Sequence, residues 1–312
     1  MTGLAKATDG QIVIAIPTFR RPVTLKQLLD SLAPEVRGTR TRIIVGDNDC
    51  SDEIKRIVDR YSDRAKIEYH PVPERGLSQV RNALVSKANA VAPDWRWLLM
   101  LDDDGWVQPG WLSAMTGAGE QFDADLVGGP VIGVLPDGAS VIARNSVFAS
   151  RRRWPSGPVS ALNTTQNLAI SRRVLDRLGL PLFDNRLGAS GGEDYDLFRR
   201  TVRAGGRLAW CDEAVVMEPA PPERLTLQSL LHRYFSTGLY MSRIDLNYES
   251  WPTGLGKSLL GLTRSAGEML FGSLAGRSNL AARGTLMTAH YFGRLGGLSG
   301  FSGARYSAGE QS

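Results

Sequence analysis

Three consecutive aspartates, Asp102, Asp103 and Asp104, directly follow the apolar run LLML at residues 98–101. Two carboxylates about 5 Å apart at a half-buried site repel each other by roughly 3 kcal/mol, so their charge must be offset. Side chains alternate along an extended chain, which would point Asp102 and Asp104 to one side, as a pair that suits Mg²⁺ or Mn²⁺. The alternative is a structural turn whose acids cap a helix that begins near Pro109. The triplet alone leaves both interpretations open.

A second pair of acids, Glu193 and Asp194, lies in the stretch GASGGEDYDLFRR at residues 188–200. Ser190 followed three residues later by Glu193 predicts a capping box at the start of a helix. Asp194 is not needed for that cap. Beside Gly192, where a sugar can approach closely, an exposed carboxylate in a first helical turn is a reasonable general base. The alternative is a solvated acid that the helix dipole favours.

The first 100 residues alternate strand and helix signals, which predicts a mainly parallel sheet covered by helices. Short apolar runs of strand length lie at residues 12–16, 42–46, 66–72 and 96–101. Ligands of such sheets bind outside the carboxyl ends of the strands. The polar clusters at those ends are PTFRRP (17–22), DNDCSD (47–52), PERG (73–76) and DDDG (102–105).

Two of these clusters contain residue types that suit a nucleotide. Asp47 or Asp49, after the second run, could bond a base or a ribose, as acids at this position do in nucleotide-binding folds. The alternative is a polar turn. Arg75, Arg81 and Asn82 follow the third run, where arginines suit a diphosphate, although such a pair is more often a solvated helix face.

The pattern becomes mixed after residue 120, and the composition changes after residue 220. Strand signals lie at 125–135, at the start of 167–179, which continues into a helix, and in a closing pair at 207–217. The tail is rich in Gly, Leu and Arg, and its glycines leave open whether its helices are long and regular. We predict a catalytic domain at 1–220 and a mainly helical extension at 221–312 that faces the acceptor or a membrane.

The composition of the 312 residues, with 42% hydrophobic and 22% charged, is that of an ordinary globular protein. Cys50 and Cys211 lie far apart, which excludes a disulfide framework and fits a reducing cytoplasm. The chain shows no signal peptide and no apolar segment long enough to span a bilayer, so we do not expect an integral membrane protein. A net charge of +5 fits anionic substrates, nucleic acid or anionic lipid.

Six motifs resemble, in order and spacing, those of the family 2 inverting glycosyltransferases. They are PTFRRP (17–22), VGDNDCSD (45–52), RGLSQVRN (75–82), LDDDGWVQP (101–109), TQNLAISR (165–172) and GGEDYDLFRR (191–200). The resemblance covers about residues 10–220 and implies an α/β fold of GT-A type, with a Rossmann-like mixed sheet flanked by helices. Cys50 stands where serine is usual. The QxxRW motif is absent, which indicates a non-processive member.

The resemblance also implies roles for individual residues. It assigns Asp194 to the catalytic base, Asp104 together with Asp102 to Mn²⁺ or Mg²⁺, and Asn167 to the sugar or acceptor, near Gly192 and Glu193. His232 stands about where QxxRW would occur and could complete the metal shell, although a histidine on an apolar helix is more often packed in a core. Donor-nucleotide binding is assigned to Pro17, Thr18, Arg20, Asp47, Arg81, Asn82, Asp102 and Asp103.

The expected reaction is a single displacement. Asp194 would take the proton of an acceptor hydroxyl, which attacks the anomeric carbon opposite the leaving nucleotide diphosphate. We expect a UDP-sugar donor and a saccharide or lipid-linked saccharide acceptor. The basic run Arg151 to Arg153 is either a solvated loop or a contact with a lipid pyrophosphate, supported by a tail at an anionic membrane surface.

Three other classes of protein fit the sequence less well. A non-catalytic sugar-nucleotide or carbohydrate binding protein on the same fold is disfavoured because both the aspartate pair and Asp194 are present. A nicotinamide dehydrogenase is disfavoured because no GxGxxG follows residues 12–16. No motif supports a nucleic-acid partner.

Overall fold

The computed structural model describes residues 10–149, 151–188 and 191–301. The described strands are β1 (Gln11–Thr18), β2 (Thr41–Asp47), β3 (Lys66–Pro71), β4 (Trp95–Leu101), β5 (Trp106–Val107), β6 (Leu126–Gly128), β7 (Val131–Val134), β8 (Gly157–Val159), β9 (Asn167–Ser171), β10 (Leu208–Trp210) and β11 (Val216–Pro219). The described α-helices are α1 (Pro22–Val36), α2 (Asp52–Asp59), α3 (Leu77–Val91), α4 (Trp111–Gln121), α5 (Val141–Arg144), α6 (Arg172–Leu178), α7 (Glu193–Arg203), α8 (Leu227–Asp245), α9 (Trp251–Leu274) and α10 (Ser278–Leu298).

The main sheet has eight strands in the order β3-β2-β1-β4-β9-β6-β10-β8. Its first four strands are parallel, and α1, α2 and α3 connect them. Both faces are covered, so the centre of β1 is apolar without alternation and is fully buried. Strand β9 then runs antiparallel between β4 and β6, which makes the sheet mixed. The predicted fold class is confirmed.

Two strand predictions in the second half were wrong in detail. Residues 125–135 form two strands, β6 and β7, which belong to different sheets. The chain crosses from one sheet to the other at Gly129, where a Cβ would overlap Asn167 and the carbonyl oxygen of Ala214. Likewise, the closing segment 207–217 is not a pair, because β10 joins the main sheet and β11 joins the other.

The smaller sheet places an acid from late in the chain beside the aspartate triplet. Its order is β5-β11-β7, and β11 runs antiparallel to β5 with Met217 opposite Trp106. Gly105 precedes β5, and a Cβ there would overlap the carbonyl oxygen of Met217. Continuing this register by one residue sets Glu218 opposite Gly105, next to Asp104.

The tail forms long regular helices, so the predicted mainly helical character of the C-terminal extension is confirmed. Helices α8, α9 and α10 have 19, 24 and 21 residues. The glycines lie where helices touch. A Cβ on Gly238 would overlap the carbonyl oxygen of His290, and one on Gly293 would overlap that of Phe235, so α8 and α10 pack backbone to backbone.

No helix of residues 10–149, 151–188 and 191–301 is long and apolar enough to cross a membrane. The division of the chain at residue 220 stays a prediction.

Candidate active site

One cleft of about 1680 Å³ opens at the carboxyl ends of β1 and β4 and extends to α8 and α10. It joins segments that lie far apart in the chain. The predicted site residues that line it are Pro17, Thr18, Arg81, Asp102, Asp103, Asp104, Glu193, Asp194 and His232. The structure therefore brings the aspartate triplet and the Glu193–Asp194 pair to the same cavity.

The aspartate triplet lies in a turn, not in a strand, because β4 ends at Leu101. Asp103 is buried and accepts hydrogen bonds from Thr18 Oγ1 at 2.6 Å and from Arg21 Nη1 at 3.1 Å. The same Arg21 nitrogen donates to Asp104 at 2.7 Å. Arg21 therefore offsets part of the charge of two aspartates and ties them to the end of β1.

None of the three aspartates caps the next helix, so that part of the turn interpretation was wrong. The N-cap of α4 is Gly110. Glu35, from the end of α1, accepts the backbone N–H groups of Gly110 at 2.8 Å and Leu112 at 2.9 Å. Capping by a distant acid leaves the triplet available for the cleft.

The negative charge of the triplet is not fully offset. Burial raises the pKa of Asp103 despite its bonds to Arg21 and Thr18. Burial, followed by the charges of Glu218 and Asp102, raises the pKa of Asp104 to about 7. A carboxyl with such a pKa lies where further positive charge would be favourable.

Arg81 connects the triplet to the second acidic pair. Its buried guanidinium donates from Nη1 to Glu193 Oε1 at 2.5 Å and from Nη2 to Asp102 Oδ1 at 3.1 Å. Burial lowers the pKa of Arg81, but the charges of Asp102 and Glu193 outweigh it, and the net pKa is raised. This bridge fixes α3, the end of β4 and the start of α7 relative to one another, and with them the neighbouring Asp194.

Helix α7 begins at Glu193, and its N-cap is Gly192 in the left-handed region with φ +98°. Ser190, the predicted cap, lies outside the described residues. Asp194 is partly exposed and lines the cleft, and its Oδ1 accepts the backbone N–H of Tyr195 at 2.7 Å. Acidic residues are common in the first turn of a helix.

Several predicted donor residues do not line the cleft. Asp47 is fully buried, so a base cannot reach it in this structure, and its carboxylate accepts the backbone N–H groups of Asp49 and Ser51 and the hydroxyl of Tyr69. The side-chain amide of Asn82 donates to the carbonyl oxygen of Phe183 and accepts from the backbone N–H of Phe183. Both side chains fix loops that border the cleft.

Three further predicted residues have structural contacts. Asn167 is fully buried, accepts from Trp111 Nε1 at 2.9 Å, and donates to the carbonyl oxygens of Pro130 and Ala214. Arg20 is exposed and pairs with Asp49 at 3.1 Å. A Cβ on Gly192 would overlap side chains of α8, so this glycine serves helix packing.

Two residues of this site, Arg21 and Glu218, were not predicted from the sequence. The motif PTFRRP contains two arginines, and the family resemblance assigned nucleotide binding to the first of them, Arg20. Glu218 lies in the otherwise apolar strand β11 and is buried, with Arg151 Nη1 at 3.4 Å. An acid inside a short apolar run is the signal that could have been used, since buried acids need a partner.

The residues at this end suit a hard divalent cation. Asp102 and Asp104 supply carboxylate oxygens, the ligands that Mg²⁺ and Mn²⁺ prefer, and the nearby charge of Glu218 adds to the negative charge there. Within the described ranges, no group of three or more His, Cys, Asp or Glu side chains is arranged to hold a metal. The predicted set of Asp102, Asp104 and His232 is thus not assembled as a cage, and phosphate oxygens would have to complete the shell.

The opposite end of the cleft is basic. Its lining arginines are Arg152, Arg224, Arg233, Arg264 and Arg283, whereas Arg151 contacts Glu218. Arg233 stacks over Phe148 with 4.7 Å between the guanidinium carbon and the ring centroid. His290 also lines this end, and burial together with the charge of Arg294 lowers its pKa to about 4, so His290 is neutral at pH 7.

The mixed sheet and the acids that converge at its strand ends are those of a GT-A-type protein. Solved structures of this fold include residues 1–349 of TarS from S. aureus, at a TM-score of 0.52 and 14% identity, covering 93% of this chain and 92% of that one. GalNAc-T7 with UDP, GalNAc and Mn²⁺ has a TM-score of 0.52 and 18% identity over 76% of this chain and 50% of that one.

The sequence comparisons identify the family. The model of "Glycosyl transferase family 2" matches residues 13–179. The succinoglycan biosynthesis protein ExoM of Rhizobium meliloti (strain 1021) is 30% identical over 296 residues, which is 91% of this chain and 93% of ExoM. Glycosyltransferase AglE of Haloferax volcanii is 25% identical over 73% of this chain and 71% of AglE. The chain belongs to glycosyl transferase family 2 and is a glycosyltransferase.

Proposed function

We propose that this enzyme transfers a sugar, with inversion, from a nucleotide diphosphate donor to a hydroxyl of a saccharide or lipid-linked saccharide, in polysaccharide or glycoconjugate synthesis. The observation that carries the proposal is the Asp102–Arg81–Glu193 bridge, which fixes Asp194 and the aspartate triplet in one cleft. The likeness to a succinoglycan biosynthesis protein over 91% of the chain supports the polysaccharide context.

A UDP-sugar is the donor we propose. Solved structures of the same fold contain UDP, UDP-GlcNAc, or UDP with GalNAc and Mn²⁺. Pro17 and Thr18 would lie along the nucleotide, and Arg81 would face the ribose or diphosphate. Asn48 also lines the cleft, whereas the base contact proposed for the buried Asp47 would require its turn to rearrange.

Mn²⁺ or Mg²⁺ is the cofactor we propose, and Asp104 and Asp102 are the residues that would hold it, with phosphate oxygens of the donor completing the shell. The cation supplies positive charge for the leaving diphosphate, the kind of electrostatic stabilisation that usually contributes most to catalysis. His232 lines the cleft and stays a candidate ligand.

Asp194 is the proposed base. Its carboxylate accepts the proton of the acceptor hydroxyl while the hydroxyl oxygen attacks the anomeric carbon and the bond to the diphosphate oxygen breaks. Arg81 and Glu193 hold the first turn of α7 and so set the position of Asp194. We further propose that the protein is cytoplasmic and contacts an anionic membrane surface.

The test uses a panel of UDP-, GDP- and dTDP-sugars with Mn²⁺ or Mg²⁺, scored by thermal shift and by donor hydrolysis. Asp194→Asn should lower turnover of the preferred donor by about 10²- to 10⁴-fold and leave its binding unchanged. Asp176→Asn, at an exposed pair with Arg172 on α6, is the matched control and should keep full turnover. Near-normal turnover of Asp194→Asn would remove this residue from the role of base.

A further inference from the structure

The first turn of α7, which carries Asp194, is held from two sides. On one side Glu193 accepts a hydrogen bond from the buried guanidinium of Arg81. On the other side the hydroxyl of Tyr195 donates to Asp245 Oδ1, at the end of α8, at 2.6 Å. At 3.6 residues per turn, Glu193 and Tyr195 point about 160° apart around the helix axis, with Asp194 between them. The two contacts together therefore fix the rotation of α7 about its axis.

Asp245 is in turn held by the other C-terminal helices. It is buried, and its Oδ2 accepts from Arg294 Nη2 of α10 at 2.9 Å. Arg294 is also buried, and its Nε donates to the hydroxyl of Ser258 on α9 at 3.4 Å. Arg199 Nη1, from the second turn of α7, lies 3.5 Å from Asp245 Oδ1. The carboxylate that receives the Tyr195 hydroxyl thus joins four helices.

The Tyr195 phenol keeps its proton in this contact. Burial, followed by the hydrogen bond to Asp245, raises the pKa of Tyr195 above its ordinary value of 10. A hydrogen bond to an ionised carboxylate is stronger than one between neutral groups. Tyr195, Asp245 and Arg294 are not among the described residues that line the cleft. In this structure they therefore act on a substrate through the helices that they join.

A small rotation of α7 would be enough to misplace Asp194. The carboxylate of a helical aspartate lies roughly 5 Å from the helix axis, so a rotation of about 12° moves it by about 1 Å. A displacement of about 1 Å at a reacting group can lower turnover about 10²-fold. The hydrogen bond of Tyr195 is therefore placed where its loss would reach the chemistry.

We infer that Tyr195 is a positioning residue for Asp194, anchored on Asp245 and Arg294. The hydrogen bond between Tyr195 and Asp245 holds the first turn of α7 at the angle from which Asp194 reaches the acceptor hydroxyl. The C-terminal helices thereby support the base without contacting either substrate at these residues. The inference rests on the proposed function, because it takes Asp194 to be the base.

The test is Tyr195→Phe in the full chain, which removes the hydroxyl and keeps the ring. Donor hydrolysis with the preferred nucleotide sugar and cation gives kcat and KM separately. The kcat should fall by about tenfold or more, while the KM of the donor should change by less than about twofold, because the donor end is untouched. The matched control is Tyr61→Phe, outside the cleft, which removes a hydroxyl bonded to Asp30 at 2.7 Å and should change neither constant.

A double-mutant cycle separates positioning from a general loss of structure. In an Asp194→Asn background, Tyr195→Phe should lower kcat by less than about twofold, because no base is left to position. An equal fall of kcat in both backgrounds would show a general structural effect and would overturn the inference. Circular dichroism of each variant gives the folded fraction to which the rates are referred.

Failure of this inference is distinguishable from failure of the proposed function. Near-normal turnover of Asp194→Asn would remove the base and with it both proposals. Loss of turnover in Asp194→Asn, together with an unchanged kcat of Tyr195→Phe, would overturn the inference alone and leave Asp194 as the base.

Discussion

Replacing Asp104 by asparagine should stabilise the metal-free protein, and more at pH 8 than at pH 5. Burial and the charges of Glu218 and Asp102 raise the pKa of Asp104 from 3.8 to about 7. The folded protein therefore holds a proton that the unfolded chain releases above pH 3.8. This contribution to stability is complete below pH 3.8 and is lost as the pH rises through 7. Asparagine is uncharged, like the protonated aspartic acid, so the variant does not lose this stability as the pH rises.

The size of the effect follows from the pKa. One pKa unit corresponds to about 1.4 kcal/mol, so the difference between 3.8 and about 7 corresponds to at most about 4 kcal/mol at pH 8 and about 1–2 kcal/mol at pH 5. The free energy of unfolding is measured in urea with EDTA at both pH values. Asp94→Asn, in an exposed pair with Arg40 at 3.6 Å, is the control and should change stability by less than about 0.5 kcal/mol at either pH.

Two outcomes would refute this reasoning: equal stabilisation of Asp104→Asn at the two pH values, or its destabilisation at pH 8. Addition of Mn²⁺ with UDP provides a second readout. It should raise the melting temperature of the wild type at pH 8 and have a much smaller effect on the variant, because the variant lacks the carboxylate.

The remaining predictions concern buried contacts. Gly293→Ala should destabilise the fold by about 2 kcal/mol or more in urea unfolding, because its Cβ would overlap the backbone of Phe235. Gly267→Ala, on a helical glycine with open space around it, should instead stabilise by up to about 1 kcal/mol, and equal effects of the two would contradict the packing argument. Glu193→Ala should lower the free energy of unfolding by about 3–5 kcal/mol, because Arg81 then loses one of its buried partners. A decrease below about 1 kcal/mol would show that the fold does not need the bridge.

The parallel half of the fold could be predicted because its signals are local. Each strand of β1 to β4 is a short apolar run, and the helices between them have the 3.6-residue period, so pattern and structure agree from residue 11 to residue 101. The placement of acids at strand ends follows from the topology alone. Asp102, Asp104 and Asp194 therefore lie in one cleft, as expected.

The second half was harder because its structure depends on contacts between distant segments. Residues 125–135 read as one strand, since nothing local marks the change of sheet except Gly129, whose close neighbours come from much later in the chain. The length of the tail helices could not be predicted for a related reason. Helix propensity counts glycine as unfavourable, and the backbone contacts of Gly238 and Gly293 that offset this cost are tertiary.

Residue roles were the least predictable from sequence. Asn167 and Asn82 stand in motifs that suggested substrate contacts, yet their amides bond the protein backbone. Arg21, next to the predicted Arg20, is the arginine that reaches the aspartates, because Arg20 has a positive φ of 53° and points to Asp49 instead. The backbone conformation at Arg20 therefore determines that Arg21, and not Arg20, contacts the aspartates of the cleft.

The pairing of β5 with β11 has a consequence for how the enzyme becomes active during synthesis. The family match ends at residue 179, whereas Glu193, Asp194 and Glu218 come later in the chain. The aspartate turn therefore emerges from the ribosome well before the strand that packs against it at Gly105. Closing this contact spans more than 100 residues, and such long-range contacts are slow to form. Until β11 has docked, Glu218 is not beside the aspartate turn, so we expect a chain truncated before β11 to show no donor turnover.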